Sequence, residues 1–284
     1  MFGAIFVLPP LLRPLDPLQV FGYRVAGMIC CLAVLFSVLG MWGDVAAVLR
    51  RCREQPRVAG VLVVDAALIG VQIWLFSWAP QTGHGLGVAL GYLLLPLTMV
   101  VVGVVVYRER LSSWRRAAVL CAGVGAGAGV VLSGGLGWPT VLVALGLPLY
   151  FVVRRAFALD SIGAQLLELV VMLPVVAVVM VTRPSVGVVV GDAGLFGAVL
   201  LLGVLSAGGF TLYLTASRLL PFTLFGVLSN VEPVLLVVVA LGVLGEPWKA
   251  TDVFTYGPIC LGLALLAVDA RRARVRRGAL VTVA

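Results

Sequence analysis

The stretch PVLLVVVALGVLGE, residues 233–246, repeats the pattern of an earlier stretch, PLTMVVVGVVVYRE, residues 96–109. In both stretches a proline and a glutamate lie 13 residues apart and enclose an apolar run. The same shift of 137 positions places Gly125 on Gly262. Matches at one fixed spacing predict that the chain is built from two related halves.

A second match extends this pattern toward the N-terminus. A shift of 144 positions places DPLQVFGYRVAGM, residues 16–28, on DSIGAQLLELVVM, residues 160–172. The predicted organisation is a first repeat at residues 1–133, a second repeat at residues 138–270 and a basic cytoplasmic tail at residues 271–284.

The composition indicates a membrane protein. Of the 284 residues, 62% are hydrophobic and 11% are charged, whereas ordinary globular domains are ~45–50% apolar. Apolar runs long enough to cross a hydrocarbon layer of ~30 Å recur along the chain. They predict an all-α polytopic fold with ten transmembrane helices, the first of them short, at residues 2–12, 18–42, 58–80, 85–107, 115–133, 138–153, 161–182, 193–217, 222–245 and 253–270.

Five helices in each half is an odd number, so the second half must enter the bilayer upside down relative to the first. Two inverted five-helix repeats can alternate between inward-open and outward-open states around a site near the membrane midplane. This architecture is typical of secondary transporters.

The basic residues predict the orientation of the helices, because Lys and Arg are enriched in cytoplasmic loops. Sixteen of them lie in one set of alternate loops and in the tail: Arg50, Arg51, Arg53, Arg57, Arg108, Arg110, Arg115, Arg116, Arg154, Arg155, Arg218, Arg271, Arg272, Arg274, Arg276 and Arg277. The other set of loops holds Arg13, Arg183 and Lys249. We therefore expect a multi-pass protein of the cell inner membrane, in contact with the lipid bilayer, with both termini cytoplasmic.

Four charged residues lie inside predicted helices and away from the helix ends, namely Arg24, Asp65, Glu168 and Glu232. Each costs roughly 2.5–3.5 kcal/mol at the centre of a membrane helix, so each is expected to face a partner or a hydrated cavity. Glu232 lies about 15 Å into its predicted helix, close to the midplane. We interpret Glu232 as a group that meets either a proton or a cationic group of the substrate, with a structural salt bridge to Arg24 as the alternative.

Several neighbours of these charges belong to the predicted substrate or proton site. Asn230 lies two residues before Glu232, in the same apolar run. Pro233 and Pro96 each lack a backbone N–H and are expected to kink their helices, which leaves carbonyl groups free to face a cavity.

The remaining candidates each have two interpretations. Arg24 is near enough to its helix end to extend toward the membrane surface, or it points inward and receives a carboxylate. Asp65 and Glu168 either line a cavity or lie at a hydrated helix end. Gln72 and Trp74 give the third helix a polar and aromatic character that suits a cavity wall or ordinary helix packing.

The glycine-rich stretch CAGVGAGAGVVLSGG contains GxxxG twice, at Gly123 and Gly127 and at Gly125 and Gly129. Small residues at this spacing let two helices approach closely. Packing within the chain is one use of the motif, and formation of a homodimer is the other.

The sequence contains few residues that could support metal or covalent chemistry. The five cysteines form no CxxC pair, and His84 is the only histidine, so we expect no metal site and no cofactor. No nucleophile with a positioned base is recognisable, so we expect no enzymatic activity. The arginines lie in short tracts between apolar runs, which argues against nucleic-acid binding.

Three stretches resemble the RarD branch of the EamA family, in the drug/metabolite transporter superfamily. They are TGHGLGVALGYLLLPLTMVVVGVVVYRERLS, GAQLLELVVMLPV and EPVLLVVVALGVLGEPW. The resemblance runs from about residue 14 to residue 269. It implies a ten-helix permease of the inner membrane that moves a small organic solute, commonly outward, and it carries an association with chloramphenicol sensitivity.

These observations favour a secondary active transporter of a small metabolite, with a proton as one candidate coupling ion. A membrane scaffold or sensor that retains the transporter fold without transport is the alternative, because a fold does not by itself determine a function.

Overall fold

The computed structural model describes residues 2–106, 108, 112–133, 137–219 and 231–281, and the regular secondary structure of these residues is helical throughout. The all-α prediction is confirmed. The α-helices are α1 (Phe2–Leu11), α2 (Pro17–Leu39), α3 (Trp42–Glu54), α4 (Pro56–Trp78), α5 (Gly85–Val105), α6 (Ser113–Ser133), α7 (Trp138–Ala156), α8 (Ile162–Val171), α9 (Leu173–Thr182), α10 (Val186–Gly191), α11 (Ala193–Leu219), α12 (Val231–Gly242) and α13 (Asp252–Val281).

Within the described residues, seven helical segments are long and apolar enough to cross a membrane. They are Pro17–Leu39, Pro56–Gln81, Gly85–Val105, Trp138–Ala156, Ile162–Thr182, Ala193–Tyr213 and Asp252–Asp269. The protein is therefore a multi-pass membrane protein. The count of ten crossings stays a prediction, and part of the predicted ninth helix, residues 222–230, lies outside the described residues.

The helix α3 corrects the sequence analysis, which predicted no helix between residues 42 and 58. Its buried residues are Val45 and Val48, and Arg51 and Arg53 lie in its last turn, where a positive charge favours the negative end of the helix dipole. A search for long apolar runs overlooks such a helix, because it is short and only one side of it is apolar.

The structure also differs from the prediction in the helices predicted at residues 161–182 and 253–270. The predicted helix 161–182 is divided at Met172, and Pro174 lies at the start of α9, where its missing N–H breaks the hydrogen-bond ladder. The last helix was predicted to end at residue 270 but continues to residue 281. The basic tail is therefore helical over most of its length.

The chain packs into two compact units, each of which takes segments from both halves of the sequence. Unit 1 comprises Met1–His84 and Leu149–Thr215, and unit 2 comprises Gly85–Pro148 and Ala216–Ala284. The predicted repeats at residues 1–133 and 138–270 stay a prediction.

Unit 1 is organised around α2 and α8. The helix α2 packs against α4, α8 and α9, and α3 packs against α8. At one point α2 and α11 come very close, since a Cβ placed on Gly27 would lie 2.9 Å from the Cα atom of Gly203. Only glycine leaves room for two backbones at this distance.

Unit 2 contains two long pairs of helices, in which α6 packs along α13 and α5 packs along α12. Two glycines allow α6 and α13 to approach closely. A Cβ on Gly125 would lie 2.6 Å from the carbonyl oxygen of Thr255, and a Cβ on Gly262 would lie 2.8 Å from that of Ala118. Gly125 therefore serves packing within the chain. In contrast, a Cβ on Gly123 or Gly127 would meet nothing within 4 Å.

A carboxylate caps the beginning of α5. The Oε1 atom of Glu246 accepts a hydrogen bond from the N–H of Gly85 (2.6 Å), and its Oε2 atom accepts one from the N–H of Leu86 (2.8 Å). The first N–H groups of a helix have no partner inside the helix, and an anion there also interacts favourably with the helix dipole. The glutamate of the repeated stretch thus has a structural role at this end of α5.

Candidate functional site

A buried ion pair connects α7 and α8 in unit 1. The guanidinium of Arg154 donates to the carboxylate of Glu168 and to the hydroxyl oxygen of Tyr150, and that hydroxyl donates to Oε2 of Glu168 at 3.0 Å. A third bond runs from Arg154 to the carbonyl oxygen of Ser161 at 3.1 Å. The side chains of Arg154 and Glu168 are 2% and 1% exposed. Hydrogen bonds of this kind are what a buried ion pair needs to offset the loss of water.

Asp65 lies in α4, which packs against α8. Its side chain is fully buried, and within the described part of the chain neither carboxylate oxygen has a hydrogen-bond partner. It interacts electrostatically with Arg154, Glu168 and Asp160. Burial of a carboxylate without a hydrogen-bond donor is costly. This group therefore has unused capacity to bind a proton or a positively charged group.

Arg24 is turned into unit 1 and does not extend to its helix end. The side chain is buried; its Nε donates to the hydroxyl of Ser206 at 2.9 Å, and its Nη1 donates to the carbonyl oxygen of Ile73 at 3.3 Å. Its Cζ atom lies 5.8 Å from the ring centroid of Phe76, a distance compatible with a cation–π interaction. A second buried positive charge thus lies among the helices of unit 1.

The two tryptophans of α4 stack on each other. The rings of Trp74 and Trp78 lie 5.5 Å apart at an angle of 24°, and the ring of Trp78 lies 4.5 Å from that of His84. Trp74 is therefore packed against a neighbouring side chain, while Gln72 is buried. A role for either residue in a cavity stays a prediction.

The other candidates belong to unit 2 or lie outside the described residues. Glu232 is in the first turn of α12 and is half-buried. Asn230 lies outside the described residues. Pro96 lies within α5 and Pro233 within α12, and the predicted kinks stay predictions. The structure thus places Arg24, Asp65, Gln72, Trp74 and Glu168 in unit 1 and Glu232 in unit 2.

Comparison with known proteins places the chain in a family. No family model matches it. It is 36% identical to the chloramphenicol-sensitive protein RarD of Pseudomonas aeruginosa, over 97% of this chain and 95% of the relative. The chain belongs to the RarD family. Uncharacterized transporters of Haemophilus influenzae and Pasteurella multocida are 32% and 31% identical over 94% of this chain, and over 89% and 90% of their own lengths. The identification made from the sequence motifs is confirmed.

The structure explains why a glycine begins the GAQ motif, one of the motifs that resemble RarD. Gly163 begins the GAQ motif, and a Cβ at this position would lie 2.8 Å from the backbone carbonyl carbon of Asp44 in α3. Arg51, also in α3, donates to the carbonyl oxygens of Phe157 (2.8 Å) and Ala158 (2.9 Å). The short helix α3 is thus fixed on the turn that joins α7 and α8. This turn includes Ser161, whose carbonyl accepts a bond from Arg154.

Asp65 and Glu168 of this buried group were candidates from the sequence, whereas Arg154 and Tyr150 were not. Arg154 was counted as a loop residue, because the predicted helix ended at residue 153, whereas α7 continues to Ala156. The additional residues place Arg154 one helical turn after Tyr150, on the same side of the helix. The spacing of Tyr150 and Arg154 was a usable signal, but it required a correct helix end.

Proposed function

We propose that this protein is a secondary active transporter that moves a small organic metabolite across the cell membrane by alternating access. The observation that carries the proposal is that three ionisable side chains, those of Asp65, Arg154 and Glu168, are buried in helices of a membrane protein. Ionisable residues inside membrane segments are costly, and they characteristically mark substrate and ion pathways. The relatives named as transporters support the same function.

Alternating access is supported by the pattern of the two halves. Gly125 lies against Thr255, and Gly262 lies against Ala118. The shift of 137 positions found in the sequence places Gly125 on Gly262 and Ala118 on Thr255, so it converts the first contact into the second. A reciprocal contact of this kind is what repeats at residues 1–133 and 138–270 would make if related by a two-fold axis. Inverted repeats allow a transporter to expose one site to either side of the membrane.

The distribution of basic residues gives the orientation that we propose. Both termini and the tail at residues 271–284 face the cytoplasm of a cell whose inner membrane holds the protein. Outward movement of the solute follows the direction that the family resemblance implies.

The first experiment compares metabolites inside and outside cells that lack the protein with those of cells that express it. Because the Pseudomonas aeruginosa relative is named for chloramphenicol sensitivity, chloramphenicol is added to the panel. Wild type and the variants Glu168→Gln, Glu232→Gln and Glu54→Gln are compared at equal membrane levels. Glu54 is exposed at the end of α3 and serves as the matched control.

We expect at least one solute to leave cells that express the wild type or Glu54→Gln and to be retained with Glu168→Gln. The result for Glu232→Gln tests separately whether Glu232 meets a proton or a cationic group of the substrate. If the wild type changes no solute in a verified panel, the transporter proposal is wrong and the scaffold or sensor alternative gains support.

A further inference from the structure

We propose that Asp65 is a proton-binding site, and that the proton it holds is the coupling ion of transport. The first part concerns the protein alone, whereas the second rests on the proposed transport function. The proposal assigns to Asp65 the role that the sequence suggested for Glu232.

The two buried carboxyl groups near Arg154 have unlike surroundings. Glu168 receives hydrogen bonds from Arg154 and Tyr150, so its negative charge is compensated. Asp65 is fully buried, and in the described residues neither of its oxygens receives any hydrogen bond. An ionised carboxyl group can only accept hydrogen bonds, whereas the protonated form carries its own donor and no charge. The surroundings therefore favour an ionised Glu168 and a protonated Asp65.

The charges that face Asp65 agree with this assignment. Its electrostatic neighbours are Arg154, Glu168 and Asp160, of which Asp160 is exposed. The buried guanidinium of Arg24, on α2, donates to Ser206 and to the carbonyl oxygen of Ile73. In the buried set formed by Asp65, Glu168, Arg154 and Tyr150, one guanidinium is opposed by two carboxyl groups, and the hydroxyl of Tyr150 is already engaged with Glu168. A single proton on Asp65 makes this buried set electrically neutral. Neutrality is strongly favoured where water is excluded.

Release of the proton from Asp65 links protonation to a change in helix packing or to solute binding. It leaves two carboxylates, Asp65 and Glu168, in competition for Arg154. A new charge in this place favours either a rearrangement of α4 against α7 and α8 or the arrival of a positive group of the solute. Access of Asp65 to one side of the membrane or the other would then depend on its protonation.

Infrared difference spectroscopy tests the proton site without any knowledge of the solute. The purified full-length chain in lipid nanodiscs is titrated with acid and base, in water and in heavy water. We expect a carbonyl stretch of a protonated carboxyl group that shifts in heavy water. The band should be absent in Asp65→Asn, displaced in Asp65→Glu, and unchanged in Asp44→Asn, whose carboxyl is exposed on α3.

A second variant removes the competition for Arg154. In Glu168→Gln the guanidinium is free to pair with Asp65, so the band of Asp65 should weaken or disappear at neutral pH. If the wild type and Asp65→Asn give the same spectra at every pH while both remain folded, the proton site does not exist and the proposal is overturned.

Coupling is tested in vesicles that contain the purified protein, with the solute found in the cell experiment. A pH gradient alone should drive uphill movement with the wild type, and this movement should be lost with Asp65→Asn. Solute movement that ignores the gradient would overturn the coupling and leave the transporter proposal intact. An infrared band without movement of any solute would support the proton site while refuting transport.

Discussion

Arg154 and Glu168 form an ion pair that is almost completely buried, between two helices joined by a short turn. Further hydrogen bonds fix the ion pair in place: the hydroxyl of Tyr150 is hydrogen-bonded to both residues, and the carbonyl oxygen of Ser161 accepts a hydrogen bond from Arg154. Removal of either side chain would leave the other buried without its hydrogen-bonded partner. The pair therefore contributes to the arrangement of α7 and α8 as well as to the proposed pathway.

Replacement of one partner should destabilise the protein strongly. For Glu168→Ala we expect a loss of about 3–5 kcal/mol in the free energy of unfolding, because Arg154 loses its hydrogen-bonded partner and Asp65 must give up its proton to compensate the buried charge. Unfolding by denaturant in detergent micelles measures this loss. The double variant Arg154→Met with Glu168→Ala should recover a large part of it. A single variant as stable as the wild type would show that Arg154 finds another partner or water.

The cap on α5 makes a separate and smaller prediction. Glu246→Ala removes the acceptor of the N–H groups of Gly85 and Leu86, and the loss of a helix cap costs about 1–2 kcal/mol. The matched control is Glu54→Ala, which removes an exposed glutamate at the end of α3. Hydrogen exchange of the first turn of α5 should accelerate in Glu246→Ala alone. Equal exchange rates in both variants would contradict the capping role.

The sequence predicted the long membrane helices well, because the thickness of the bilayer demands apolar runs of a defined length. The structure has α2 at Pro17–Leu39, where residues 18–42 were predicted. The same approach missed α3, which is short and amphipathic. It also missed the division at Met172, because a proline at the start of a helix does not interrupt an apolar run.

Part of the candidate site could also be predicted from the apolar runs. Asp65 and Glu168 stand out as charges within apolar runs, so the sequence identifies them directly. Arg154 lies near a helix end, where an arginine also serves to orient the protein in the membrane. The difference between a compensated Glu168 and an uncompensated Asp65 depends on contacts between separate helices, which a single sequence does not contain.

The ion pair of Asp16 and Arg183 predicts a dependence of stability on pH. Partial burial raises the pKa of Asp16, but the bonds from Arg183 and from the N–H groups of Gln19 and Leu18 outweigh it and hold the pKa below its ordinary value of 3.8. A carboxyl group with a lowered pKa stabilises the fold above its unfolded pKa, and this contribution is lost as the pH falls through the folded value. Below pH 3.8, the wild type should therefore lose the stability that the ion pair contributes. The variant Asp16→Asn lacks this contribution at every pH.

Thermal unfolding in detergent at a series of pH values measures this difference. Asparagine is also a good helix cap, so Asp16→Asn removes the charge and largely preserves the beginning of α2. The two proteins should differ most at neutral pH and converge in acid. Parallel profiles across the whole range would show that the ion pair contributes nothing to the pH dependence.

Gly125 and Gly262 offer the most direct test of the reciprocal packing of α6 and α13. An added methyl group at either position would lie within 3 Å of a backbone carbonyl oxygen on the other helix, and that backbone cannot move aside as a flexible side chain can. We expect Gly125→Ala and Gly262→Ala each to lower the free energy of unfolding by about 1–3 kcal/mol, as overpacking does.

The controls Gly123→Ala and Gly127→Ala lie on the same helix as Gly125, where a Cβ meets nothing within 4 Å. These controls should be neutral or slightly stabilising, because alanine favours a helix more than glycine does. Similar losses at Gly125 and Gly262 with neutral controls would support packing by equivalent residues of two repeats, whereas a loss at Gly123 or Gly127 would indicate that this face packs against a second copy of the chain.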